Sequence, residues 1–255
     1  MSMMEVIPAD TRYRCAALMA GAAALYLLLR IAGFHALFAN DAEGISALLQ
    51  IIGTLYSVVY AFATYVIWGQ FAAVENEIVK EAGALKDLIL FSKPLKDSLR
   101  DPIVRSVRAY ARTVSEAEWE MLSRGEETEK TDKLFSSILS GVTEARPTDE
   151  AEAAIQERLL EVVNQASSHR DERLALSVKR IPRTLLLFVT LTASAILFLL
   201  FFYPFHNLFL GMVSLALTTL LLFFAHFVLT DLDNPFEGTW NVSAKPFDDV
   251  ATRYR

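Results

Sequence analysis

Hydrophobic residues in this chain form long unbroken runs, and between them lie stretches whose apolar positions recur every three or four residues. Four windows, residues 15–38, 45–74, 184–205 and 208–230, stay predominantly apolar over the roughly 20 residues a helix needs to cross a bilayer. The segment 75–183 changes pattern. Val74, Ile78, Ala82, Leu85 and Ile89 recur at helical spacing as far as Pro94, and Ile103, Val107, Tyr110 and Val114 resume it after Pro102. "SRGEETEKTDK" reads as a loop. "RPTDEAEAAIQE" reads as a helix start, with Thr148 as N-cap before acidic first-turn residues. Ile155, Leu159, Val162 and Ala166 then give that helix one apolar face. No glycine–proline cluster interrupts residues 45–91, so the second span is expected to run on into the soluble segment, while residues 150–181 feed the third span with Pro182 at its entry. No strand pattern and no internal repeat is present in the sequence. The pattern predicts an all-α integral membrane protein: four transmembrane helices in two hairpins, with a helical domain inserted between helices two and three.

Charge gives this layout a direction. Apart from Arg30, every Lys and Arg lies before the first span, between spans two and three, or after span four, and the two short connections on the other side carry none. The positive-inside rule therefore predicts both termini and the insert in the cytoplasm. The expected divisions are a cytoplasmic N-terminus at 1–14, spans one and two within 15–74, a cytoplasmic helical domain at 75–183, spans three and four within 184–230, and a cytoplasmic tail at 231–255. The first window runs past its small residues, Ala20–Ala22, and is expected to stay as an uncleaved span. A net charge of −6 argues against nucleic acid as a partner, since phosphate binding needs a concentrated basic face. The one cysteine, Cys15, rules out an internal disulfide.

Enzymatic chemistry finds little support. His35, His169, His206 and His226 share no metal-ligand spacing, and no phosphate loop, dinucleotide fingerprint or nucleophile elbow is present. An enzyme is not expected. Span two, "IIGTLYSVVYAFATYVIWGQ", is the least lipid-like of the four. Gly53, Ser57 and Ala61 form a small-residue stripe, and Tyr56, Tyr60, Thr64 and Trp68 a neighbouring polar and aromatic one. Two readings stand side by side. Gly53, Tyr56, Ser57, Tyr60, Thr64 and Trp68 line a water-filled path between copies of the helix, or they serve ordinary packing with an interfacial aromatic belt. Arg30, near the outer edge, either reaches the headgroups or forms the outer mouth of such a path, with Asp41 and Glu43 opposing it.

After the last span come Asp231 and Asp233, a turn at Asn234–Pro235, then Phe236 and Glu237. These residues suit docking of the tail, and their oxygens would suit a divalent cation, although the spacing is not that of an EF-hand loop. The tail "DLDNPFEGTWNVSAKPF" resembles that of bestrophin-like membrane proteins found widely in bacteria. Those end the last span with a leucine–aspartate pair, then a proline–phenylalanine, a glycine and a "V-S-x-x-P" segment. Here these are Leu232, Asp233, Pro235, Phe236, Gly238, Val242, Ser243 and Pro246. "AAVENEIVKEAGALKDLI" and the "EAEWE" element around Trp119 extend the resemblance over nearly the whole chain.

The resemblance implies kinship with bestrophins, which are pentameric ion channels lined by their second span. It implies a multi-pass protein of the cell's inner membrane, a homo-oligomer that is pentameric by analogy, lipid and small ions as partners, and a constriction near Tyr56, Tyr60 and Thr64, with Phe62 as a further neck candidate. The run of consecutive acidic residues that clasps calcium in animal bestrophins is absent. The competing expectation is a membrane-anchored sensor or scaffold whose helical insert binds a partner.

Overall fold

The computed structural model describes residues 8–34, 38–126 and 128–253. His35 and the end of the first expected span fall partly outside them. Every regular element among the described residues is helical. Four helices are long and apolar enough to cross a membrane. They are α1 (Ala9–Ile31), α2 (Ala42–Phe91), α7 (Arg183–Phe202) and α8 (Leu208–Leu232). Between α2 and α7 lie α3 (Asp97–Thr113), a π-helical turn (Val114–Glu118), α4 (Trp119–Ser123), α5 (Glu129–Thr143) and α6 (Glu150–Ser177), and α9 (Lys245–Thr252) follows α8.

The chain divides into two compact units, Met1–Trp68 with Ile181–Asp233, and Gly69–Arg180 with Asn234–Arg255. In the first unit α1 and α7 both pack along α8. Tyr26, Leu200 and Leu215 form its buried centre, joined by Leu49 of α2. Tyr26 lies against the backbone of α8 at Gly211, where a Cβ would come within 2.1 Å of the tyrosine oxygen. Large side chains such as Leu187, Leu191, Phe198 and Leu221 are exposed, as suits surfaces solvated by lipid tails. The first helix ends at Ile31, short of the expected residue 38, because Gly33 takes a left-handed conformation that stops it.

In the second unit, α2 borders α6 through an imidazole–carboxylate contact of His169 with Glu77 at 2.7 Å. It borders α3 through a Tyr110–Glu81 hydrogen bond. α5 packs on both α3 and α6, so α2, α3, α5 and α6 form a four-helix ring. Leu85, Leu88, Ile103, Val107, Ile138, Leu159 and Val163 fill it.

α2 is a single helix of 50 residues, unbroken to Phe91 as the missing glycine–proline cluster predicts. Other local expectations shift. α3 starts at Asp97 and carries Pro102 inside it rather than before it. The cap of α6 is Asp149, whose side chain accepts from the Glu152 amide at 2.8 Å. Thr148 donates through its amide and hydroxyl to the Glu152 carboxylate, at 2.8 and 2.9 Å, which leaves the neighbouring Asp149 to cap the helix. α6 ends at Ser177, and Pro182 starts a separate helix, α7, because its ring cannot continue the hydrogen-bond ladder.

Candidate functional site

The apolar stretch of α2 has a narrow buried face and a wide exposed one, and part of the exposed one is apolar, with Leu48, Ile51, Leu55, Val58 and Phe62. Ile45, Tyr56, Ala63 and Ile67 are buried. On the opposite side Glu43, Ala47, Gln50, Thr54, Ser57, Ala61, Tyr65, Trp68, Ala72 and Glu75 recur at three- and four-residue steps, and all ten are exposed. This face is small or polar for most of its length and begins and ends on a carboxylate. No Lys or Arg occurs between Arg30 and Lys80.

The six residues singled out on this helix divide between the two faces. Tyr56 is buried inside the first unit and stacks on Tyr60, with ring centroids 5.7 Å apart. Ser57 and Trp68 lie on the exposed face, and Gly53, Tyr60 and Thr64 on its flank. The Ser57 and Thr64 hydroxyls donate to the carbonyls four residues back, at 2.8 and 2.9 Å. Their hydrogen-bonding need is met within the helix, so it is the exposed face, not a hunger for partners, that makes α2 a candidate lining. Arg30 donates to the carbonyls of Phe205 and His206, at 2.6 and 3.3 Å, and so ties α1 to the connection between α7 and α8.

The second unit holds a buried charge cluster. Arg173 of α6 donates from Nε to Glu81 at 2.6 Å and from Nη1 to Glu118 at 2.8 Å, and all three side chains are fully buried. Tyr110 donates to Glu81 at 2.5 Å. Burial disfavours the Arg173 cation, but the carboxylates of Glu81 and Glu118 outweigh it and hold its pKa well above the ordinary value. Burial, reinforced by Glu81, pushes the Tyr110 hydroxyl well up. Glu118 sits on the π-helical turn next to Trp119, and Arg173 lies over the Phe247 ring at 5.4 Å. The sequence offers one signal for this cluster: Glu81 interrupts the apolar stripe Val74–Ile78–Leu85, and Arg173 interrupts that of α6. A charge in an apolar stripe needs a buried partner.

The tail residues are spent on structure. Asp233 accepts from the Ile181 amide at 2.6 Å. Asn234 donates to the Ser123 carbonyl at 2.7 Å and, at 3.2 Å, to Glu237. Phe236, beside the buried Pro235, meets the Trp119 ring edge-on at 5.1 Å, and Phe247 meets the same ring at 6.0 Å. Among the described residues no three His, Cys, Asp or Glu side chains converge as metal ligands, Asp231, Asp233 and Glu237 included.

A family model described as a Bestrophin-like domain matches residues 15–247. The chain belongs to the bestrophin-like family. Solved structures agree on the fold. The crystal structure of a bacterial bestrophin homolog from Klebsiella pneumoniae superposes with a TM-score of 0.69 at 11% identity, covering 93% of this chain and 94% of that one. Two single-substitution variants of that homolog give TM-scores of 0.73 and 0.69 at 10% and 13% identity, covering 94% and 92% of this chain and 97% of each of theirs. No curated protein matches the sequence.

Proposed function

We propose that this protein is a homo-oligomeric channel of the inner membrane, with both termini and the helical unit in the cytoplasm, the spans arranged as two hairpins, and small ions passing along a central path lined by α2. It acts as a passive conductor and not as an enzyme. The observation that carries this reading is the ten-residue exposed stripe of α2, small or polar for most of its length, which points away from the buried Tyr56, Ala63 and Ile67. The hydroxyls of this face are met within the helix, but the Glu43 carboxylate, the Gln50 amide and the Tyr65 phenol are longer polar groups that suit water or protein rather than lipid, and symmetric copies around an axis supply both. The lining then consists of Gln50, Thr54, Ser57, Ala61, Tyr65 and Trp68, with Tyr56 behind it.

The ends of the face give the path a preferred charge. Glu43 and Glu75 are the first and last residues of the stripe, and no Lys or Arg occurs between them. Arg30 is engaged by backbone carbonyls, and Glu77 by Lys80 and His169. Rings of Glu43 and Glu75 favour cations over anions.

The test is ion flux from liposomes carrying the purified protein under sodium, potassium and chloride gradients. Cation-selective flux supports the reading. Well-folded oligomers that conduct nothing favour a membrane-anchored scaffold instead.

A further inference from the structure

The four-helix ring of the second unit carries opposite charge on two faces that cannot meet within one subunit. Between the end of α2 and α3 runs an open groove of about 530 Å³, lined by Ile89, Lys93, Arg100, Asp101, Val104 and Arg108. Arg105 and Arg112, both exposed, extend the basic rim along α3. Asp97 and Asp101 are both held by Arg100, at 2.9 and 3.0 Å, and this trio carries one net negative charge, which Lys93, Arg105, Arg108 and Arg112 outnumber along the groove.

The outer face of α6 is the reverse. Glu150, Glu157, Glu161, Asp171 and Glu172 are exposed along it, opposite the face that buries Leu159, Val162, Ala166 and Arg173. Exposed Ala153, Ala154 and Ala175 stand among these carboxylates and permit close approach. Arg158, the nearest cation, lies to one side and pairs with Glu161. In the ring α6 borders α2 and α5, whereas the groove lies between α2 and α3.

We infer that the acidic face of α6 in one subunit seats in the basic α2–α3 groove of the next copy of this chain. The inference rests on the homo-oligomer proposed above and names the contact that sets its register. A contact between two different patches is head-to-tail, and repeated with a closing rotation it generates a ring. In such a ring the α6 face of each copy meets one neighbour and its groove meets the other. Charged contacts of this kind fix partner and orientation. The occupant is a second copy because its acidic face complements the groove in charge and repeats along the same length of helix.

Two charge reversals test it in the full-length protein: Lys93→Glu with Arg105→Glu and Arg112→Glu on the groove side, and Glu157→Lys with Glu172→Lys on the α6 side. All five side chains are exposed, and thermal melting identifies any variant that fails to fold. Dissociation on dilution in mild detergent is read by light scattering. Each reversal set is expected to raise the half-dissociation concentration by about 10-fold or more, at up to about 1 kcal/mol per exposed pair. A chain carrying both sets is expected to return to within about three-fold of the parent. Carbodiimide treatment of mixed light and heavy copies should join Lys93 to an α6 carboxylate of the other copy. Folded oligomers indifferent to both reversals, no recovery in the combined chain, or Lys93 links confined to one copy would overturn the inference and leave the channel reading intact. A parent chain that is monomeric at every concentration overturns both.

Discussion

Arg173 donates to Glu81 at 2.6 Å with neither side chain exposed, and it extends a second arm to Glu118 at 2.8 Å. One cation thereby joins α6, α2 and the π-helical turn. Removing one partner of a buried pair leaves an uncompensated charge and typically costs about 3–5 kcal/mol. Arg173→Met is expected to lower the unfolding free energy of the helical unit by that order, because Glu81 and Glu118 would be left without their cation. Arg173→Lys should rescue little, since one ammonium cannot reproduce the divided fork. Denaturation followed by tryptophan fluorescence, to which Trp119 reports, measures it; a loss under 1 kcal/mol for Arg173→Met would contradict the assignment.

Gly211 makes room for Tyr26. A Cβ there would lie 2.1 Å from the tyrosine oxygen and 2.7 Å from the ring carbon bearing it, so Gly211→Ala must push α1 off α8 or force Tyr26 out of place. Overpacking of this kind costs about 1–3 kcal/mol. The Tyr26 hydroxyl is buried without a hydrogen-bond partner among the described residues, so Tyr26→Phe alone should cost little. Combined with Gly211→Ala it should recover part of the loss. Thermal stability of the four proteins in one detergent decides the matter, and a neutral Gly211→Ala would show that the approach is not tight.

Much of the architecture was legible because lipid and water impose different patterns. Four apolar windows declared four membrane-length helices, and the periodic segment declared a helical insert. Boundaries were less legible where one residue decides them: Gly33 stops α1, and Asp149 rather than Thr148 caps α6. The π-helical turn at Val114–Glu118 left no local signal, and the Arg173 that its Glu118 meets lies 55 residues further along the chain. On α2 the sequence drew attention to two neighbouring stripes, Gly53–Ser57–Ala61 and Tyr56–Tyr60–Thr64–Trp68. Ser57, Ala61 and Trp68 lie on the exposed face and Tyr56 on the buried one, a division that only the packing of the first unit shows.

Acid should loosen the helical unit through Glu152 and Glu77. Hydrogen bonds from the Thr148 amide and hydroxyl and from Lys96 hold the Glu152 carboxyl below its usual range. Burial pushes Glu77 up, but Lys80 and His169 outweigh it and its pKa is lowered as well. A depressed folded-state pKa stabilises fully above the unfolded value, about 4.3 for Glu, and the contribution disappears as pH falls through the folded value. Stability should therefore fall on acidification below about pH 4. Glu152→Gln should be less stable than the parent at neutral pH, with the gap closing in acid. A gap that stays constant from pH 7 to pH 3 would remove Glu152 from the account.

Accessibility along α2 separates a water-lined path from a lipid-facing helix. In a Cys15→Ser background, single cysteines at Thr54, Ser57 and Ala61 would sit on the exposed face, and cysteines at Ala63 and Ile67 on the buried one. A charged thiol reagent reacts through the thiolate, which forms readily in water and poorly in hydrocarbon or a packed interior. The first three positions should therefore react and change ion flux at least several-fold, while the last two stay silent. Replacing Glu43 and Glu75 by Gln should shift the reversal potential away from cations without abolishing flux, because those side chains attract ions at the two ends and do not obstruct the path. If Ala63 and Ile67 react while Ser57 does not, α2 is turned the other way, and the face from Gln50 to Trp68 meets lipid.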